Sequence, residues 1–106
     1  MSWSVEYLKA AANDLDKLDR SQQIQVLKAI TKVAQNPLPN YEGGYGKPLS
    51  NQSTSKLASY CKIKLQKLGI RVVYGIVKED HVMKVIVISV RADDLVYKLA
   101  EKRIEP

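Results

Sequence analysis

Apolar and polar residues alternate from Trp3 through Ser4, Val5 and Glu6 to Tyr7, the period of a strand with one face turned inward. From Leu8 the period lengthens. Leu8, Ala11, Ala12, Leu15 and Leu18 recur at three- and four-residue spacing, which predicts an amphipathic helix. Asp19-Arg20-Ser21 interrupts the stripe, Ser21 is placed to cap a second helix, and Val26, Leu27, Ile30, Val33 and Ala34 form its apolar face up to Asn36-Pro37. Two helices joined by so few residues are expected to pack as an antiparallel hairpin. Residues 36–55 hold three of the four prolines and three of the five glycines, so they read as the longest loop, within one domain. Gly43-Gly44-Tyr45-Gly46 lacks the following Gly-Lys-Ser/Thr and the preceding strand of a phosphate cradle, so it reads as a flexible loop.

Beyond Lys56 the period is two. Leu57, Cys61, Ile63 and Leu65 point one way along the strand 57–66, and Lys62, Lys64 and Gln66 the other. Gly69 marks a turn into a strand from Ile70 to Val77, and Lys78-Glu79-Asp80 turns the chain again into Val82–Val90. There the run Val85-Ile86-Val87-Ile88 suits a strand buried on both faces. A last helix, capped by Asp93 or Asp94, packs down through Leu95, Val96, Leu99 and Ala100 before Lys102-Arg103. The expected fold is α+β in the order β-α-α-β-β-β-α: a helical hairpin on a small, mainly antiparallel sheet, closed by a C-terminal helix.

With 106 residues, one compact domain spanning 1–106 is expected. No apolar run approaches the length of about 18 residues that crosses a membrane, and the polar start resembles no signal peptide, so a soluble cytoplasmic protein is expected. One Cys and one His supply neither a disulfide nor a zinc ligand set, which sets metal and Cys-His chemistry aside and leaves no cofactor implied. Cys61 reads as buried and inert, His81 as exposed in a polar turn.

Charge adds a direction. Residues 1–50 carry six basic and five acidic groups, and residues 51–106 carry eleven and six. No acid occurs between Glu42 and Glu79, while Lys47, Lys56, Lys62, Lys64, Lys67, Arg71 and Lys78 all do. Such a one-signed stretch attracts a polyanion, or else simply forms a solvated basic face. Lys62 and Lys64 share a face, and if Leu65 pairs with Ile70 across the turn, Arg71 joins them opposite Lys64. Like charges across a ladder are destabilising unless an anion sits there, although long side chains also splay into water at little cost. Arg91, at the end of the buried strand, and Tyr97, about one turn into the last helix, are within reach of the same patch. On position alone Tyr97 reads first as an amphipathic cover for the core and only then as a group that stacks on a base or donates to a phosphate, and Tyr60, Tyr74 and Tyr45 are weaker candidates.

The runs Tyr60-Cys61-Lys62-Ile63-Lys64-Leu65, Gly69-Ile70-Arg71-Val72-Val73-Tyr74, Val87-Ile88-Ser89-Val90-Arg91 and Val96-Tyr97 resemble the RelE branch of the RelE/ParE toxin superfamily. The resemblance extends to the Trp3 strand, the hairpin with Leu15 and Leu18, Lys47-Pro48-Leu49 and the helix through Arg103. It implies a RelE-like microbial RNase fold and a type II toxin that cleaves mRNA in the ribosomal A site and is silenced by a cognate antitoxin. It makes Lys62, Lys64, Arg71, Arg91 and Tyr97 the matching catalytic positions; Lys56 and Lys67, members of the basic run, are candidate RNA contacts beside them. Two departures stand out: the stretch leading to Arg91 is shorter than in the best-known members, and the 40–47 loop is longer and richer in glycine.

The implied chemistry attacks phosphorus with the ribose 2′-hydroxyl. Neighbouring cations disfavour a protonated amine, which suits Lys64 to the general base's task. Arg71 offers a planar fork and Lys62 a point charge to the phosphate oxygens. Arg91 would help the leaving 5′-oxygen electrostatically, and Tyr97 would orient RNA by stacking or a hydrogen bond. The ribosome would supply substrate positioning. A ParE-like DNA gyrase inhibitor and a non-catalytic RNA-binding module are the alternatives. An acidic, partly disordered antitoxin is the expected protein partner, lying across the basic face or displacing the last helix.

Overall fold

The computed structural model describes residues 2–49, 60–90 and 93–104. Along the chain run β1 (Ser4–Tyr7), α1 (Lys9–Asp16), α2 (Arg20–Val33), a 3-10 turn (Asn40–Glu42), β2 (Lys47–Pro48), β3 (Cys61–Leu65), β4 (Ile70–Val77), β5 (Val82–Ser89) and α3 (Asp93–Ile104). The strands form one sheet in the order β1-β5-β4-β3-β2. Only β1 is parallel to its neighbour, β5; the other pairs are antiparallel. The expected α+β class and element order hold, with one addition. The two-residue β2 pairs Lys47 with Lys62 and Pro48 with Cys61, too short a ladder to leave a period in the sequence.

Each face of the sheet is covered. Cys61, Ile70, Val72, Tyr74, Met83, Val85 and Ile88 meet Ala11 of α1 and Val26, Ile30 and Val33 of α2 in one core. On the opposite face Val73, Ile86 and Val87 meet Val96, Tyr97 and Ala100 of α3. A shift of register in the β4–β5 ladder, where Tyr74 pairs with Val85 but Val73 with Val87, leaves Ile86 as the extra residue of a bulge. The bulge puts neighbours Ile86 and Val87 on the same face, against α3, while Val85 and Ile88 face α1 and α2, so the run is buried on both sides because both faces are covered.

Several local expectations change. Asp19, not Ser21, caps α2: its carboxylate accepts from the Gln22 amide at 2.8 Å, and the Gln22 side chain accepts from the Asp19 amide at 3.2 Å. Ser21 would have Ile24 at the reciprocal position, which has nothing to offer in return. Ala12, Leu27 and Leu95, placed on inward stripes by spacing, are exposed, because each helix rests on the sheet along a narrower line than its apolar arc. The glycine-rich stretch is tied down: the Asn40 amide donates to the Gly46 carbonyl at 2.7 Å, Tyr45 to Asn36 at 2.8 Å and Gly46 to Leu38 at 3.0 Å. Backbone bonds, rather than side-chain burial, replace the flexible loop expected there. Residues 57–59, the start of the strand predicted over 57–66, lie outside the described residues.

Among the described residues no helix is long and apolar enough to cross a membrane.

Candidate functional site

The β3–β4 register is the one the turn implied: Leu65 opposite Ile70 and Lys64 opposite Arg71. Gly69 makes that turn with φ +67°, a conformation costly for residues with a Cβ. Because successive side chains alternate, Lys62, Lys64 and Arg71 occupy the face of α3. They form two rows across the strands. Lys64, Arg71 and Ser89 stand in register on β3, β4 and β5, and one step along the sheet Lys47, Lys62, Val73 and Val87 stand in register from β2 to β5. Lys47 was legible only as one cation of a run; nothing in the sequence announced that two residues of β2 would set it beside Lys62.

Tyr97 meets this patch from α3. The Lys62 ammonium donates to its hydroxyl at 3.1 Å and lies 5.8 Å from its ring centroid. The ring is only 4% exposed, packed with Val73, Ile86, Val87, Val96 and Ala100. Its face is therefore closed to a base in this arrangement, and the hydroxyl is the group it presents. Lys62 is half-buried under α3, whereas Lys64 and Lys67 are exposed. Arg71 is partly buried and reaches the Gly69 carbonyl with one guanidinium nitrogen at 3.4 Å. Arg91 and Lys56 lie outside the described residues, as does whatever precedes Asp93 in the capping of α3. Lys78, at the end of the acid-free stretch, pairs with Glu42 at its start, 2.8 Å away, so the run's last cation is drawn to an acid.

An ion pair anchors α3 beside this patch. Arg103 holds Asp14 of α1 through both guanidinium ends, at 2.6 and 3.1 Å, and donates to the Ile86 carbonyl at 2.9 Å, while Asp14 accepts from the Ile88 amide at 3.1 Å. β1 covers β5 only as far as Val85. Beyond it the pair takes the place of a missing strand, satisfying the edge groups of β5 and joining α1 to α3 around that edge.

The remaining candidates are structural. Cys61 and Tyr74 are buried side by side on the other face, where burial pushes the thiol and the phenol above their ordinary values. The Tyr74 hydroxyl donates to the Pro37 carbonyl at 2.8 Å. Tyr45 is exposed on the loop, and His81 is exposed in its turn, with its ring 4.9 Å from that of Trp3. Tyr60 lies on the Lys62 face by alternation.

A mainly antiparallel five-stranded sheet with α1 and α2 on one face, and cations beside a terminal helix on the other, defines a small RelE-like protein. The chain resembles the RelE branch of the RelE/ParE superfamily both in sequence and in fold. No family model matches it. An Escherichia coli protein described as a RelE-like toxin is 27% identical over 103 residues, covering 97% of this chain and 98% of that one. The free arginine-to-alanine double mutant of E. coli toxin RelE superposes with a TM-score of 0.73 at 25% identity, over 99% of this chain and 100% of that one. The same double mutant in complex with a peptide of antitoxin RelB gives 0.69 at 25% identity and the same coverage.

Proposed function

We propose that this chain, acting as one domain over residues 1–106, is the toxin of a toxin–antitoxin pair and cleaves mRNA in the ribosomal A site without a metal ion. The observation that carries the reading is the register that sets Lys64 opposite Arg71, with Lys62 two residues along the same face. Like charges set directly across a ladder repel, and a phosphate between them turns that repulsion into a shared attraction. The E. coli RelE structures support the toxin reading by likeness.

In the proposed reaction the Lys64 amine accepts the proton of the 2′-hydroxyl. The oxygen attacks the adjacent phosphorus, the bond to the 5′-oxygen breaks, and the leaving oxygen takes a proton from solvent water, to which the Lys64 ammonium returns the one it accepted; the products are a 2′,3′-cyclic phosphate and a 5′-hydroxyl. Arg71 and Lys62 hold the extra negative charge on phosphorus, and Arg91 supports the leaving oxygen as a charge, since a guanidinium gives up its proton reluctantly. Tyr97 orients Lys62 through its hydroxyl. Lys47, Lys56 and Lys67 grip flanking phosphates. The ribosome contributes the positioning that this set, with no strong acid–base pair, does not supply alone. An acidic, partly disordered antitoxin, by analogy with RelB on E. coli RelE, masks the patch in a hetero-oligomer.

Primer extension on a translated message after induced expression, with and without ribosomes, tests the reading. Cuts confined to translated regions are expected, with Lys64→Ala and Arg71→Ala each slowing cleavage about 10²–10⁴-fold while ribosome docking persists. Intact message alongside broken chromosomes would instead indicate gyrase poisoning, and intact message with salt-dependent binding that Lys64→Ala and Arg71→Ala weaken would indicate a simple RNA binder.

A further inference from the structure

With the Tyr97 ring enclosed, the face that carries Lys62 and Lys64 has another aromatic side chain in line with them. Tyr60 precedes Lys62 by two residues, about 7 Å along an extended chain, and shares its face. It is half-buried, and its ring lies over Gly75 of β4: a Cβ built there would stand 2.6 Å from the ring's Cε2. Glycine at 75 is thus what lets the ring lie down on the sheet. Beside the ring is a cavity of about 90 Å³ lined by Tyr60, Gly75, Ile76, Val77, Lys84 and Ile86. Its size suits the edge of a flat heterocycle. Its lining combines one aromatic residue, aliphatic residues and one lysine.

A phosphate would not choose this place. Glu6 of β1 stands in register with Lys84 on the same face, so the charge here is mixed and an anion gains less than at the patch of Lys62, Lys64 and Arg71. A base is neutral, has a face to lay against a ring and has acceptors for an ammonium proton.

We propose that Tyr60, Gly75, Val77 and Lys84 form a nucleobase subsite that takes the base of a nucleotide neighbouring the phosphate gripped by Lys62 and Lys64. The inference rests on the reading of that patch as an RNA site, and it assigns Tyr60 to binding rather than to the chemistry.

Fluorescence anisotropy with the full chain tests it, using two probes of equal length and charge: a labelled 2′-O-methyl oligonucleotide, which resists cleavage, and an abasic sugar-phosphate oligomer. Tyr60→Leu is expected to weaken the first about tenfold and to leave the second unchanged, whereas Tyr60→Phe retains most of the affinity. Gly75→Ala, which lifts the ring, is expected to reproduce the loss, and the double variant to bind no worse than either single one. Equal weakening of both probes, no weakening of either, or no binding of the base-bearing probe by the wild type would overturn the subsite. Cleavage is read separately. Base-dependent loss in a protein that never cuts message leaves the subsite standing and removes the nuclease, and cutting without base dependence does the reverse.

Discussion

Tyr74 and Cys61 face each other across β3 and β4, buried against the loop at Pro37, and burial raises the pKa of both. The unfolded chain releases these protons near the ordinary values of 9.0 for the thiol and 10.0 for the phenol, while the folded chain keeps them to higher pH. Their contribution to stability is therefore complete below about pH 8 and is lost as pH rises past those values. Urea unfolding at pH 7, 9 and 10.5 should show a falling midpoint. Tyr74→Phe should flatten that fall at a cost of about 1–2 kcal/mol at pH 7, since it leaves the Pro37 carbonyl without its donor. A thiol reagent should modify Cys61 only after unfolding. Parity along the strand was enough to place Cys61 inside. Tyr74 was less legible, because the sequence does not say that a loop carbonyl would reach its hydroxyl. Tyr97 divides in the same way: its position in the helix was readable, but the 3.1 Å bond from Lys62 depends on where α3 lies.

The helix α3 is held at one end by Arg103 and Asp14, whose side chains are 16% and 14% exposed. Removing one partner strands the other and uncovers the Ile86 carbonyl or the Ile88 amide at the edge of β5. Asp14→Ala should cost about 2–3 kcal/mol, toward the lower end for a largely buried pair, seen as a lower thermal midpoint. Hydrogen exchange should rise first in α3, because the pair is what ties its last turn to β5. No spacing rule announced this contact between residues 14 and 103. In α1 Asp14 reads as an ordinary polar position, and in α3 Arg103 reads as a favourable charge in a last turn. The capping of α2 was misplaced by two residues for a related reason: a cap is chosen by which side chain answers it three residues later, so Asp19 with Gln22 prevails over Ser21 with Ile24.

Across the molecule, charge that looks continuous in sequence is sorted by the fold. Lys78 pairs with Glu42 near the 40–46 loop, whereas Lys47, Lys62, Lys64 and Arg71 gather on neighbouring strands. The five phosphate contacts proposed, Lys62, Arg71, Lys47, Lys56 and Lys67, predict a slope of about −3.5 in log affinity against log salt for single-stranded RNA, and Lys47→Gln should reduce it by about 0.7. A slope near zero would remove the patch as an RNA site. The elements other than β2, the β3–β4 register and the shared face of Lys62, Lys64 and Arg71 were determined by the sequence alone, since each follows from local period and a tight turn. What only the tertiary structure decided depends on groups distant in the chain: Lys47 beside Lys62, Tyr97 against Lys62, Arg103 on Asp14 and Tyr60 over Gly75. Periodicity says which way a side chain points, and only the packing of one element on another says what it meets there.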